Sequence, residues 1–182
     1  NDAMALLNEG LNHVKRMPGE ENLAGPGNRR EFERELGSAA ERARIYNTPL
    51  SIAFCDIDNF KVINDIHGPA TGDRVLAFIS DALDQALNGR GKISRGSGSE
   101  FVILFEGKTA RQARDLTENA GIALSERHIV DRQTGRPVGH VDMSAGVSAM
   151  GHDFSIGAML SKADQALFKA KTTGRGTGRM AS

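Results

Sequence analysis

One cysteine, Cys55, is the whole thiol complement of the chain, so it cannot form a disulfide within it. Because Cys55 closes an apolar run, Ile52-Ala53-Phe54-Cys55, a buried and inert thiol in a reducing compartment is expected. No stretch approaches the roughly 20 apolar residues of a membrane span, and no signal-peptide pattern is visible at the start. Solubility without membrane contact is therefore the expectation. Charge of one sign is also missing: 23 basic residues balance 23 acidic ones, which removes any electrostatic reason to expect duplex nucleic acid or a membrane surface as partner. A local basic cluster can still serve a phosphate ligand. There is no internal repeat, and 182 residues with 39% apolar content suit one domain with a core plus a short appendage.

Near the start, Met4, Leu7, Leu11 and Val14 are spaced 3, 4 and 3 apart, an a/d seam about two heptads long and too short to be stable alone. Two readings stay open for residues 1–20: a helix packed on its own domain, or a coiled-coil stalk or linker from an upstream sensor or other signalling domain. The stretch 18–27, with three glycines and two prolines, reads as a linker or open loop. Asn28 can cap a following helix whose inner face is Phe32, Leu36, Ala40 and Ala43.

The chain is organised around residues 51–73. The apolar run Ile52 to Cys55 reads as a buried strand that ends in charge, and Asp56 and Asp58, two apart, project from one face of an extended strand while Ile57 projects from the other. Such a pair suits a hard cation such as Mg²⁺, or it caps the following turn. After Asp73 the spacing of Val75, Leu76, Ile79, Leu83 and Leu87 predicts a helix ending near Asn88 and Gly89. Two short strands around a glycine-bearing turn, 92–95 and 101–105, predict a β-hairpin. A helix over 109–127 turns Ala113, Leu116, Ala120, Ala123 and Leu124 inward; a polar hairpin excursion occupies 131–136; a strand occupies 141–148. A last helix, 154–171, buries Ile156, Leu160, Ala163, Leu167 and Ala170. Strands separated by helices, with one central hairpin, predict an α/β sandwich with a mixed or antiparallel sheet.

The pattern D-I-D-x-F-K-x-I-N-D-x-x-G-x-x-x-G-D, from Asp56 to Asp73, resembles the signature of GGDEF domains, the diguanylate cyclase family. The resemblance extends over about 21–179. It includes the opening segment N-L-A-G-P-G-N-R-R, where Ala24 replaces Thr and Pro26-Gly27 alter the next places, the strand Ser144-Ala145-Gly146-Val147, and the tail A-D-Q-A-L-F-K-A-K-T-T-G-R-G. Phe168 stands there for the usual tyrosine and Gly176 for asparagine; Pro69 replaces a histidine and is expected to stiffen its turn. What the resemblance implies is a palm-like nucleotide cyclase fold, a central, mostly antiparallel sheet covered by helices with a ferredoxin-like core, over 21–182. It further implies metal at Asp56 and Ile57, and nucleotide contacts at Phe60, Lys61, Asn64, Asp73, Gly98, Lys171 and Arg175. Asn64 and Asp73 would read the guanine edge, while Lys171 and Arg175 would bind phosphates, chemically sensible for an amide, a carboxylate and two cations. Read without the family, Asp73 is a helix cap, Asn64 a turn amide, and Lys171 and Arg175 partners of a helix dipole.

The name-giving turn departs from the family. Aligned on Arg95 and Phe101 it reads Ser97-Gly98-Ser99-Glu100-Phe101, so the metal-binding carboxylate of the third place is a serine. Losing a full charge about 4 Å from a divalent ion forfeits roughly 4 to 8 kcal/mol at an effective dielectric near 20. Glu100 is expected to face away, as the next residue on an extended segment. The product-inhibition motif of the family is replaced by Asn88 and Gly91, so no inhibitory product site is expected. The reading favoured is a degenerate GGDEF module in the bacterial cytoplasm that binds GTP, weakly or with Mg²⁺, and regulates an attached or partner domain. An active diguanylate cyclase, in which a homodimer joins two GTP into cyclic-di-GMP and pyrophosphate, and a scaffold that binds no nucleotide are the alternatives.

Overall fold

A computed structural model describes residues 29–173 and the backbone of 179–181. The seam at residues 1–20, the linker, Ala24, Pro26, Gly27, the Asn28 cap, Arg175 and Gly176 lie outside the described residues. Helix α1 (Arg29–Tyr46) leads into strand β1 (Leu50–Ile57), followed by α2 (Phe60–His67) and α3 (Pro69–Leu87). A hairpin of β2 (Lys92–Arg95) and β3 (Glu100–Glu106) precedes α4 (Ala110–Ser125) and a small hairpin, β4 (Ile129–Val130) with β5 (Pro137–Gly139). The chain continues through β6 (Met143–Ala149), α5 (Ile156–Thr172) and β7 (Arg179–Ala181).

The sheet order is β2-β3-β1-β6-β7, antiparallel throughout except for the parallel β6/β7 pair. Strand β1 is central and apolar on both faces, as a strand must be when helices cover it twice. Ala53, Cys55 and Ile57 pack with Phe101, Ile103 and Phe105 under α3 and α4, whereas Leu50, Ile52 and Phe54 pack with Val102 and Leu104 under α1 and α5. Gly146 lets α5 approach closely: a Cβ there would lie 2.2 Å from the Leu167 backbone nitrogen and 2.5 Å from the Ala163 carbonyl oxygen. The expected α/β sandwich with a mostly antiparallel sheet is the observed one.

Several local expectations are corrected. The helix read as following Asp73 starts at Pro69, whose fixed φ suits the first helical position after Gly68 at φ 89. Asp73 is thus inside α3 and caps nothing. Asn64 is no turn amide, because 60–67 form the helix α2, whose exposed Val62 and Ile66 blur the inward pattern. In α4 Ala123 is exposed, and Thr117 and Gly121 take the inner face with Ala113, Ala120 and Leu124. The reciprocal Thr109–Gln112 capping box begins that helix. Phe154 sits at φ 54 in a turn, and the last helix starts at Ile156 behind a Ser155 cap. Strand β7 was not foreseen.

Candidate functional site

Strand β1 runs out at Ile57, and the charges that end it meet side chains from three other elements. The register pairs Asp56 with Glu100 on β3 and with Ser144 on β6. Ser99 Oγ donates to Asp56 Oδ1 at 2.6 Å, and the Lys171 ammonium on α5 forms an ion pair with Asp56 Oδ2. Asp58, buried, accepts from Ser144 Oγ at 2.8 Å. The two aspartates therefore keep to one face, as their spacing predicts. Backbone bonds fix this end: Ile57 N–H donates to the Ser99 carbonyl at 3.2 Å and Asp58 N–H to the Asp142 carbonyl at 2.9 Å.

Glu100 does not face away. Ser99 belongs to the turn rather than to the strand, so alternation does not apply between the two, and both come to Asp56. Directly opposed residues of an antiparallel pair share a face, with Cβ atoms about 5 Å apart. Gly98, at φ 58, lets the turn close, and its carbonyl accepts from Arg95 Nη2 at 2.8 Å.

A second group of candidates lies between α2 and α3. Phe60 is buried, Lys61 is exposed, and Asn64 Oδ1 is buried with no hydrogen-bond partner. Facing it is Gly72, where a Cβ would come within 1.8 Å of Asn64 Oδ1 and 3.2 Å of Phe60 Cζ. Asp73 follows on α3, exposed and without a hydrogen bond or ion pair to any described residue. Asn64 Oδ1 and the exposed Asp73 carboxylate, whose charge acts on the neighbouring Arg74, are both hydrogen-bond acceptors on adjoining helices.

Two arrangements escaped the sequence reading. Ser144 was read only as part of a strand; its polar side chain at a covered position was the available signal. Asp131, read as part of a polar turn, is buried and accepts from Thr71 and Arg74 of α3. These bonds, Arg74 first and then Thr71, hold its carboxyl below the usual carboxylate range against the effect of burial.

Among the described residues no group of three or more His, Cys, Asp or Glu side chains is placed to hold a metal ion. Asp56 already has a cationic partner in Lys171. The donor set fits Mg²⁺ only in company with ligand phosphates, the usual way in which one or two carboxylates hold that ion. No helix among the described residues is long and apolar enough to cross a membrane.

The family model described as diguanylate cyclase, GGDEF domain, matches residues 22–177. A diguanylate cyclase of Vibrio cholerae is 34% identical over 149 residues, 81% of this chain and 45% of that protein. The diguanylate cyclase DgcP of Pseudomonas aeruginosa is 35% identical over 155 residues, 84% of this chain and 22% of that one. The chain thus spans less than half the length of these two relatives. The solved GGDEF domain of DgcB from Caulobacter crescentus, in complex with c-di-GMP, superposes with a TM-score of 0.78 at 29% identity, covering 84% of this chain and 87% of that one. A second DgcB structure, of the coiled coil with the GGDEF domain, reaches 0.79 at 26% identity over 96% and 93%. With the signature run, the sheet order and the family match in agreement, this chain belongs to the GGDEF domain family of the diguanylate cyclases.

Proposed function

We propose that this chain is a GTP-binding regulatory module of bacterial cyclic-di-GMP signalling, with cyclase turnover lost or reduced to a trace. Asn64 and Asp73 read the guanine edge beside Phe60, Lys171 and Arg175 take the phosphates, and Lys61 and Gly98 complete the contacts. Asp56 and Ile57 hold Mg²⁺ together with the phosphates; the ion, when bound, neutralises phosphate charge. The reading is carried by the hydrogen bond from Ser99 Oγ to Asp56 Oδ1, a neutral hydroxyl at the place where active members present a second carboxylate. The site therefore keeps its ligand contacts and lacks charge for the metal. Residues 1–20 are read as the stalk or linker of a larger cytoplasmic protein, and the similar structure of DgcB that includes a coiled coil supports this.

A second reading rests on Glu100. Its place opposite Asp56 brings a carboxylate to the same face, which favours a working cyclase acting as a homodimer. Titration of the chain with GTP and Mg²⁺ by calorimetry, with chromatography for cyclic-di-GMP, separates the readings. Binding without product is expected. Product that disappears in Glu100→Gln selects the cyclase, and absence of binding leaves a scaffold.

A further inference from the structure

Helix α3 presents Thr71, Asp73 and Arg74 within one turn, and the last two are a carboxylate and a guanidinium side by side in the chain. Arg74 is nevertheless committed elsewhere. Its Nε and Nη2 donate to Asp131 Oδ1 and Oδ2 at 2.9 and 2.7 Å, a two-pronged charge-assisted grip. Thr71 Oγ1 donates to Oδ2 at 2.7 Å and the Gln133 N–H to Oδ1 at 3.1 Å, so the buried carboxylate is fully occupied. Asp131 is itself fixed, because its N–H donates to the Arg136 carbonyl at 2.9 Å and its carbonyl accepts from Gly135 N–H at 2.7 Å, closing the turn between β4 and β5. A second tie runs beside it: the Arg127 guanidinium lies over the Phe78 ring, 5.0 Å from its centroid.

We infer that Asp131 is a positioning residue, holding Arg74 against the β4–β5 hairpin so that Asp73 stays available to the guanine of a bound nucleotide. The inference rests on the nucleotide reading above. Its physical basis is competition: a guanidinium has five donors and no acceptor, the Asp73 charge already acts on Arg74, and when Asp131 is removed the long Arg74 side chain is free to swing toward that carboxylate. Arg74 then covers the group that discriminates the base. Asp131, its carboxylate taken up by Thr71, Arg74 and Gln133, acts through Arg74 and not through contact with the nucleotide.

The test compares GTP with ATP, both with Mg²⁺, by calorimetry on the full chain. Phosphate contacts are common to the two, so the ratio of their affinities reports the guanine contacts. Asp131→Ala is expected to lower the GTP-over-ATP preference about tenfold, a change of about 1.4 kcal/mol. Adding Arg74→Ala to that variant is expected to restore most of the preference while leaving the thermal midpoint low. A merely structural role predicts the reverse, a double variant as poor as the single one or poorer, and that result overturns the inference. If Asp131→Ala does not fold, Asp131→Asn, which keeps the shape and removes the charge, is read in the same way. Failure of the wild-type chain to prefer GTP sinks the nucleotide reading, and the inference with it. A wild-type preference left unchanged in the Asp131 variants overturns the inference alone.

Discussion

The end of β1 and the crevice between α2 and α3 lie next to one another, yet they are finished in opposite ways. At the strand end the charges are answered from within the protein: Asp56 by Ser99 and Lys171, Asp58 by Ser144. Between α2 and α3 Asn64 Oδ1 is buried without a partner, and Asp73 makes no hydrogen bond or ion pair to a described residue, its charge acting only on the neighbouring Arg74. An unpaired buried polar atom costs about 1–3 kcal/mol. Folding therefore accepts a cost between α2 and α3 that it avoids at the strand end. On the proposed nucleotide reading, a ligand between α2 and α3 would meet unpaired groups, whereas one at the strand end must displace contacts already made.

The largest effect expected from breaking this contrast comes from Gly72→Ala. The new methyl occupies the place of Asn64 Oδ1, 1.8 Å away, and that short side chain must leave the crevice. GTP affinity is expected to fall about 100-fold, about 2.7 kcal/mol, with a much smaller change in the thermal midpoint. Unchanged affinity would remove Asn64 from the binding surface. The double change Ser99→Asp with Ser97→Gly acts at the other end, returning a carboxylate beside Asp56 and a glycine to the turn. A gain in cyclic-di-GMP formation of at least about tenfold is expected, about 1.4 kcal/mol off the barrier. No gain would shift the lesion away from Ser99. Lys171→Ala is expected to divide the effects: about tenfold tighter Mn²⁺ or Mg²⁺ binding without nucleotide, since Asp56 loses its internal cation, and about tenfold weaker GTP. Both are read by calorimetry, and a change in one with the other unmoved would mean that Lys171 serves only one partner.

How far this contrast could be read from the chain depends on the range of the interactions. Strand β1, the hairpin of β2 and β3, the inner face of α3 and the helical tail follow from local periodicity and turn residues, and all are found. Helix α2 was missed because Val62 and Ile66 stay exposed on it, which hides its inward spacing. Strand β7 was missed because three residues completing a sheet edge carry no pattern of their own. In the site, the Asp-Ile-Asp spacing puts both acids on one face, whereas the facing of Glu100 depends on where the turn ends, which the spacing does not show. Ser144 with Asp58, and Asp131 with Arg74, join residues 86 and 57 positions apart. No local rule reaches that far: the first pair meets where β6 lies beside the end of β1, and the second where helix α3 packs against the β4–β5 turn.

The Asp131 cluster also marks the acid limit of the crevice wall. Its carboxyl is held below its ordinary value in the folded chain, so the stabilisation is complete above about pH 4, the unfolded value, and is lost as pH falls further toward the folded one. The difference in thermal midpoint between the wild type and Asp131→Asn is expected to shrink between pH 6 and pH 3. A difference that does not change with pH would assign the effect to packing instead of the ion pair.

Cys55 provides the smallest expected effect and the sharpest control on the comparison. It is fully buried on the opposite face of β1 from Asp56, and burial, with the Asp56 charge adding, pushes its thiol up to about 12. At pH 8 almost no thiolate is present and no reagent reaches the sulfur, so labelling by an aromatic disulfide awaits opening of the sheet. Lys171→Ala and the Ser99 variant change only what Asp56 meets on the helix α5 side. Both are therefore expected to leave the labelling rate within about twofold of wild type, the spread of a surface substitution within about 0.5 kcal/mol. Faster labelling in either would mean that the ion pair and hydrogen bond at the strand end hold the central strand itself, and that the site and the core beneath it are one cooperative unit.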